Sequence, residues 1–201
     1  MKRIIVAMSG ASGAIYGVRA LQALKDAPEV ETHLILSPSA KRTIAEETQW
    51  NIGEVEALAS VVHSHRDIGA SIASGSFRTA GMLVAPCSIK SLSGIVHSYN
   101  DNLLARAADV CLKERRTLVL LVRETPLHLG HLELLAQAAR YGAVILPPVP
   151  AFYNRPRTIE DLVDHTVGRA LDHFDIPHQL VKRWKEPDTA PQPAGGTAKL
   201  A

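Results

Sequence analysis

Three turns in this chain put glycine, hydroxyl or charge directly after a short apolar run. The first is Ser9-Gly10-Ala11-Ser12-Gly13-Ala14, after the apolar run 3–8. Glycines there let the backbone approach a ligand closely, and a helix starting next offers its first N–H groups to an anion. Ser12 is either part of that anion site or the helix N-cap. The glycine spacing departs from G-x-G-x-x-G, and Ser37 rather than an acidic residue ends the second apolar run. A phosphate-bearing mononucleotide therefore fits better than NAD. The second turn, Ala85-Pro86-Cys87-Ser88-Ile89-Lys90-Ser91, carries two hydroxyls and a cation that either hold a phosphate or cap and flank a helix. The third is Arg123-Glu124-Thr125-Pro126, which ends the apolar run 118–122. A charged pair at that point is costly unless it is paired or acts on a ligand.

Further on, Pro147-Pro148-Val149-Pro150 stiffens the chain ahead of Tyr153. Lys113, Arg115 and Arg116 end a helical pattern, where cations also suit the helix dipole. Arg169 lies among apolar neighbours as a solvated residue or a phosphate clamp. Cys87 reads as a structural thiol, since no partner base accompanies it. The histidine pairs, His63 with His65 and His128 with His131, have no carboxylate or thiol at ligand spacing. With no G-x-S-x-G elbow or P-loop either, metal chemistry and serine hydrolysis are disfavoured.

These residues need elements to position them. Apolar runs at 3–8, 32–37, 81–85, 117–122 and 143–146 read as strands buried on both faces. Helical spacing occupies 14–25, 39–47, 52–63, 88–97, 102–115, 127–141 and 158–174, with a loop at 64–79. Alternating strands and helices predict an α/β fold, a three-layer α/β/α sandwich of flavodoxin or Rossmann type with a mostly parallel sheet. Ligands of such sheets bind outside the carboxyl ends of the strands, where all three turns fall.

The chain has 201 residues, 46% apolar and 21% charged, enough for one well-filled domain at 1–186. The stretch 187–201, with Pro-Gln-Pro-Ala-Gly-Gly, reads as a mobile tail. A net charge of +2 without basic blocks, and 4% aromatic residues, argue against nucleic acid and a polybasic membrane anchor. Two cysteines build no disulfide framework and read as reduced thiols of a cytoplasmic protein. No apolar run reaches the roughly 18 residues of a membrane span. Lys2-Arg3 and the apolar residues after it are too short for a signal peptide and read as a strand.

Eight segments in order resemble the UbiX family of flavin prenyltransferases: 9–14, Ser74-Gly-Ser-Phe77, Ala85-Pro-Cys-Ser-Ile-Lys90, Asp101-Asn-Leu103, Arg106-Ala-Ala-Asp-Val110, Leu112-Lys-Glu-Arg-Arg116, Arg123-Glu-Thr-Pro126 and 147–153. The resemblance spans Arg3 to about Trp184. It implies a flavodoxin-like homododecamer that transfers a dimethylallyl group from dimethylallyl monophosphate to N5 and C6 of reduced FMN, without a metal. The prenylated FMN would serve a UbiD-type decarboxylase of aromatic and acrylic acids. Carried over by position, Gly10, Ala11, Ser12, Ser37, Ser88, Ile89, Lys90, Ser91 and Arg123 contact FMN. Lys113, Arg123, Glu124, Tyr153 and Arg169 surround the prenyl phosphate, and Trp184 lies near the prenyl group. Ser12, Glu47 and Glu124 are the candidates for moving protons, with Tyr153 donating to the phosphate. Pro38-Ser39 and Ser91 are small departures from the family pattern, and neither removes a charge. The segment 93–102 is expected at a subunit contact beside the site. Competing readings are a flavin-dependent cysteine decarboxylase of similar fold, which would need a histidine base, and a flavin-carrying accessory subunit.

Overall fold

The computed structural model describes residues 1–181, 183 and 184. The tail expected at 187–201 lies outside the described residues. Six strands form one sheet: β1 (Lys2–Met8), β2 (Val30–Leu36), β3 (Val61–His63), β4 (Gly81–Cys87), β5 (Thr117–Val122) and β6 (Val144–Ile145), in the order β3-β2-β1-β4-β5-β6. Every paired strand is parallel, so the expected mostly parallel sheet is wholly so. The described residues also form the α-helices α1 (Ala14–Lys25), α2 (Pro38–Glu47), α3 (Ile52–Glu56), α4 (Ile89–Val96), α5 (Leu103–Lys113) and α6 (Leu129–Arg140) between strands, and α7 (Ile159–Asp172) after the last.

The continuous apolar runs are explained by the two faces they serve. Successive strand side chains alternate between faces. Ile4, Val6 and Met8 of β1 join a core with α1 and α7, while Ile5 and Ala7 join another with α4, α5 and α6. Gly17 brings α1 close to the sheet: a Cβ there would collide with the Ala85 carbonyl. A bidentate pair, Arg19 to Asp164 at 2.5 and 3.1 Å, ties α1 to α7.

One expected element is corrected. Residues 52–63 are not a single helix: α3 ends at Glu56 and β3 follows. Asn51 and Glu54 form a capping box that starts α3. Thr32 and Ser60 then clamp the turn to β2, with Thr32 N donating to Ser60 Oγ at 3.1 Å and Ser60 N to Thr32 Oγ1 at 2.9 Å. The β-branched Val61 and Val62 pair along the edge of β2, where stiff side chains suit a strand. With β3 the strand order is that of dinucleotide-binding folds. Without it, the remaining five strands follow the flavodoxin order.

The sheet reverses direction between β1 and β4, and a crevice opens beyond their carboxyl ends. Ser9, nearly fully buried, joins the two turns across this point. Its hydroxyl donates to the Pro86 carbonyl at 3.0 Å and accepts from the Ser88 amide at 2.7 Å.

Candidate active site

The starts of α1, α2, α4 and α5 all border the crevice, and those of α1 and α4 are not equivalent. At α1 the N-cap is Gly13, with φ of 97° and no side-chain cap, so Ser12 is not the cap. The anion there is the protein's own. Glu47, at the end of α2, accepts from the Gly13 amide at 2.7 Å and the Ala14 amide at 3.2 Å. Burial opposes ionisation of Glu47, but hydrogen bonds from Ser12, Gly13 and Ala14 and the charge of Arg123 outweigh it. Its carboxyl is thereby held below the usual range. Arg123 Nε donates to the Ser12 carbonyl at 3.4 Å. Ser12, Glu47 and Arg123 thus form one cluster.

At α4 no carboxylate from another helix fills the first turn among the described residues. Ser88 caps it, accepting from the Ser91 amide at 3.3 Å and donating to Ser91 Oγ at 3.2 Å. The Ile89 and Lys90 amides begin the helix and have no carbonyl within it to bond. Ser37 similarly caps α2, accepting from the Ala40 amide at 3.0 Å. The two serine turns therefore serve as caps and as walls at once. Gly10, Ser37, Ser88, Lys90 and Ser91 line one cleft of about 780 Å³. That size falls in the range of small-molecule sites. Ala11 is buried behind the first turn.

Sequence reasoning missed part of this cleft. His65, Tyr99, Asp101 and Asn102 also line it. Asn102 caps α5, accepting from the Ala105 amide at 3.1 Å. Asp109 fastens the approach to α5 through Ser98 at 3.1 Å and Asn100 at 3.0 Å. The mixed polar composition of 93–102 was the available signal. For His65 there was none beyond its lying near the end of an apolar run.

Other expected site residues are not brought together in one chain. Glu124 is exposed and accepts from the Thr125 amide at 3.1 Å, and no ion pair joins it to Arg123 among the described residues. Tyr153 packs edge-on against Trp184 and His165, with centroids 5.4 and 5.6 Å apart. Arg169, four residues beyond His165 on α7, pairs with Asp172 at 2.8 Å. Lys113 lies at the far end of α5 and pairs with Glu114 beside Gly75. An α-helix of 11 residues spans roughly 16 Å. Its start lines the cleft, and its end leads into Thr117, which is level with the first residue of β4. Lys113 therefore sits at the opposite edge of the sheet from Glu124.

Both cysteines are fully buried, and burial pushes each thiol up to about 12, so neither is a thiolate nucleophile. His63 bonds to His33 at 2.9 Å, and His33 to Glu31 at 2.7 Å. Among the described residues, no group of three or more His, Cys, Asp or Glu is placed to hold a metal, and no helix is long and apolar enough to cross a membrane.

With this geometry in hand, similarity to known proteins becomes informative. The Flavoprotein family model matches residues 1–175. The flavin prenyltransferase UbiX of Salmonella typhimurium is 65% identical over 187 residues, covering 92% of this chain and 99% of that protein. A crystal structure of a dodecameric FMN-dependent UbiX-like decarboxylase from Escherichia coli O157:H7 superposes with a TM-score of 0.90 at 51% identity, covering 92% of this chain and 100% of that one. A crystal structure of AnUbiX (PadA1) in complex with FMN and dimethylallyl pyrophosphate also gives 0.90, at 50% identity, covering 92% of this chain and 98% of that one.

Proposed function

The chain belongs to the flavin prenyltransferases of the Flavoprotein family, and on that premise we propose that it transfers a dimethylallyl group from dimethylallyl monophosphate to N5 and C6 of reduced FMN. The observation that carries this reading is the N-terminus of α4 at the sheet's switch point, where Ser88, Lys90 and Ser91 line the cleft. These groups fit the phosphate of FMN: amides, two hydroxyls and a cation, in a cleft of about 780 Å³. Reduced FMN, when bound, supplies the nucleophilic N5 and C6.

The chain's own residues do the rest. Gly10, Ala11, Ser12, Ser37, Ser88, Ile89, Lys90, Ser91 and Arg123 surround the flavin nucleotide. Because Glu47 already fills the α1 N-terminus, the nucleotide phosphate is directed to α4. Ser12 and Glu47, hydrogen-bonded to one another, form a proton path beside the turn. Arg123, Arg169 and Lys113 neutralise the departing prenyl phosphate, as preorganised cations do where anionic charge develops. Tyr153 donates to that phosphate, and Trp184 closes the apolar side. Glu124 exchanges a proton at the leaving group.

Lys113 lies on the wrong edge of its own sheet for this role. It therefore serves the site of a neighbouring copy, in a homododecamer whose contacts include 93–102. The prenylated product goes to a UbiD-type decarboxylase in the cytoplasm, with no nucleic acid or membrane involved. The test is purified protein alone with reduced FMN and dimethylallyl monophosphate. The expected result is a flavin heavier by one dimethylallyl unit, with free phosphate. A cysteine decarboxylase would instead oxidise a peptidyl cysteine and leave the prenyl donor intact. A carrier subunit would bind FMN and change neither.

A further inference from the structure

His65 follows β3 by two residues and forms part of the cleft wall, with Lys90, Asp101 and Asn102 in the same lining. Its backbone carbonyl accepts from the Leu103 amide at 2.9 Å, which fixes it to the start of α5. Its Nδ1 is enclosed and has no hydrogen-bond partner among the described residues. A proton on that nitrogen would be a buried donor without an acceptor, which is costly, and more so if the ring is charged. The favoured ring is therefore neutral, with its one proton on Nε2. Burial also lowers the basicity of His65; Lys90 and Arg66 act in the same direction, and Asp101 opposes them.

We propose that His65 orients the flavin nucleotide as a neutral donor, its Nε2–H bonding a phosphate oxygen from the wall that faces α4. This rests on the prenyltransferase reading above and adds a residue to it. A neutral donor complements Lys90, because it directs one oxygen without adding charge to a site that must also accept an electron-rich reduced flavin. His65 also separates this cleft from a second cavity of about 370 Å³ lined by Lys41, Glu56, His63 and Arg66. Its position thus limits how far the phosphate can slide along the wall.

Three substitutions test this, read by titrating the apoprotein with FMN and with riboflavin. His65→Gln keeps an N–H near the Nε2 position and should bind FMN within about threefold of wild type. His65→Asn and His65→Phe lose it and should bind FMN about tenfold or more weakly, in keeping with one hydrogen bond to a charged acceptor. Riboflavin affinity should change little in all three. Nitrogen-15 spectra of the apoprotein at pH 7 should show the Nε2–H tautomer. Wild-type FMN affinity in His65→Phe, or a protonated Nδ1 in the spectra, overturns the inference. A wild-type protein that binds no FMN overturns the prenyltransferase reading, and this inference with it. Melting temperatures of the three variants identify any that fail to fold, and His65→Gln against His65→Asn then decides.

Discussion

Glu47 and Glu124 are both carboxylates near the crevice, and the structure sets them different tasks. Glu47 is bonded to two amides of α1 and held below the usual carboxyl range, burial being outweighed by its donors. A folded-state pKa below the unfolded value, about 4.3, gives stability that is present above that pH and is lost as pH falls through the folded value. Glu47→Gln should therefore lower stability at pH 7 by about 0.5–1 kcal/mol, the scale of a helix N-terminal partner. The gap should narrow in thermal melts as the pH is taken below the unfolded carboxyl range. A gap that does not change as the pH falls would refute a role for the charge. Glu124 has no such anchorage, and Arg123 turns to the Ser12 carbonyl instead of pairing with it. Glu124→Gln should fold and hold FMN yet lose prenyl transfer by roughly 10²–10⁴-fold, as general acid–base groups do. A variant that loses FMN but turns over normally at saturating FMN would assign Glu124 to binding.

At the level of elements, α1 and α4 divide the work by what occupies their first turns. Since α4 offers its first amides with Ser88, Lys90 and Ser91 while Glu47 fills α1, FMN should bind far more tightly than riboflavin, and calorimetry showing equal affinities would refute phosphate capture at that helix. Much of this layout was legible in the sequence. Continuous apolar runs marked the strands that are buried on both faces, and each serine turn follows one. The stretch 52–63 was not legible, because Val55, Leu58 and Val62 keep helical spacing across a break. What fixes the chain at the sheet edge after the helix is the Thr32–Ser60 clamp, a contact between residues 28 apart that no local pattern carries. Ser12 was ambiguous for a similar reason. The group capping α1 arrives from another helix, and the sequence around Ser12 holds no trace of it.

At the level of the whole molecule, the family resemblance implies that Lys113, Arg169 and Tyr153 surround one phosphate, but not which copy supplies each. The fold separates Lys113 from Glu124 by the height of the sheet, so on the proposed roles a site draws them from two copies. Light scattering should report a large oligomer, and a monomer would count against the proposed assembly. Lys113→Ala and Glu124→Gln should each be nearly inactive as pure assemblies. Mixed assemblies refolded from both should recover part of the turnover, because some sites then receive both intact groups. Absence of any recovery would place Lys113 and Glu124 in the same copy. The two buried thiols offer a separate measure of the same assembly. Cys87 on β4 and Cys111 on α5 share one core layer and show no exposed surface. A thiol reagent reaches them only when that layer opens, so the labelling rate of the native protein measures how often the molecule breathes. If the layer opens as a unit, the two cysteines label at one common rate. A faster Cys111 would show that α5, the helix that carries Lys113 outward, detaches before the sheet does.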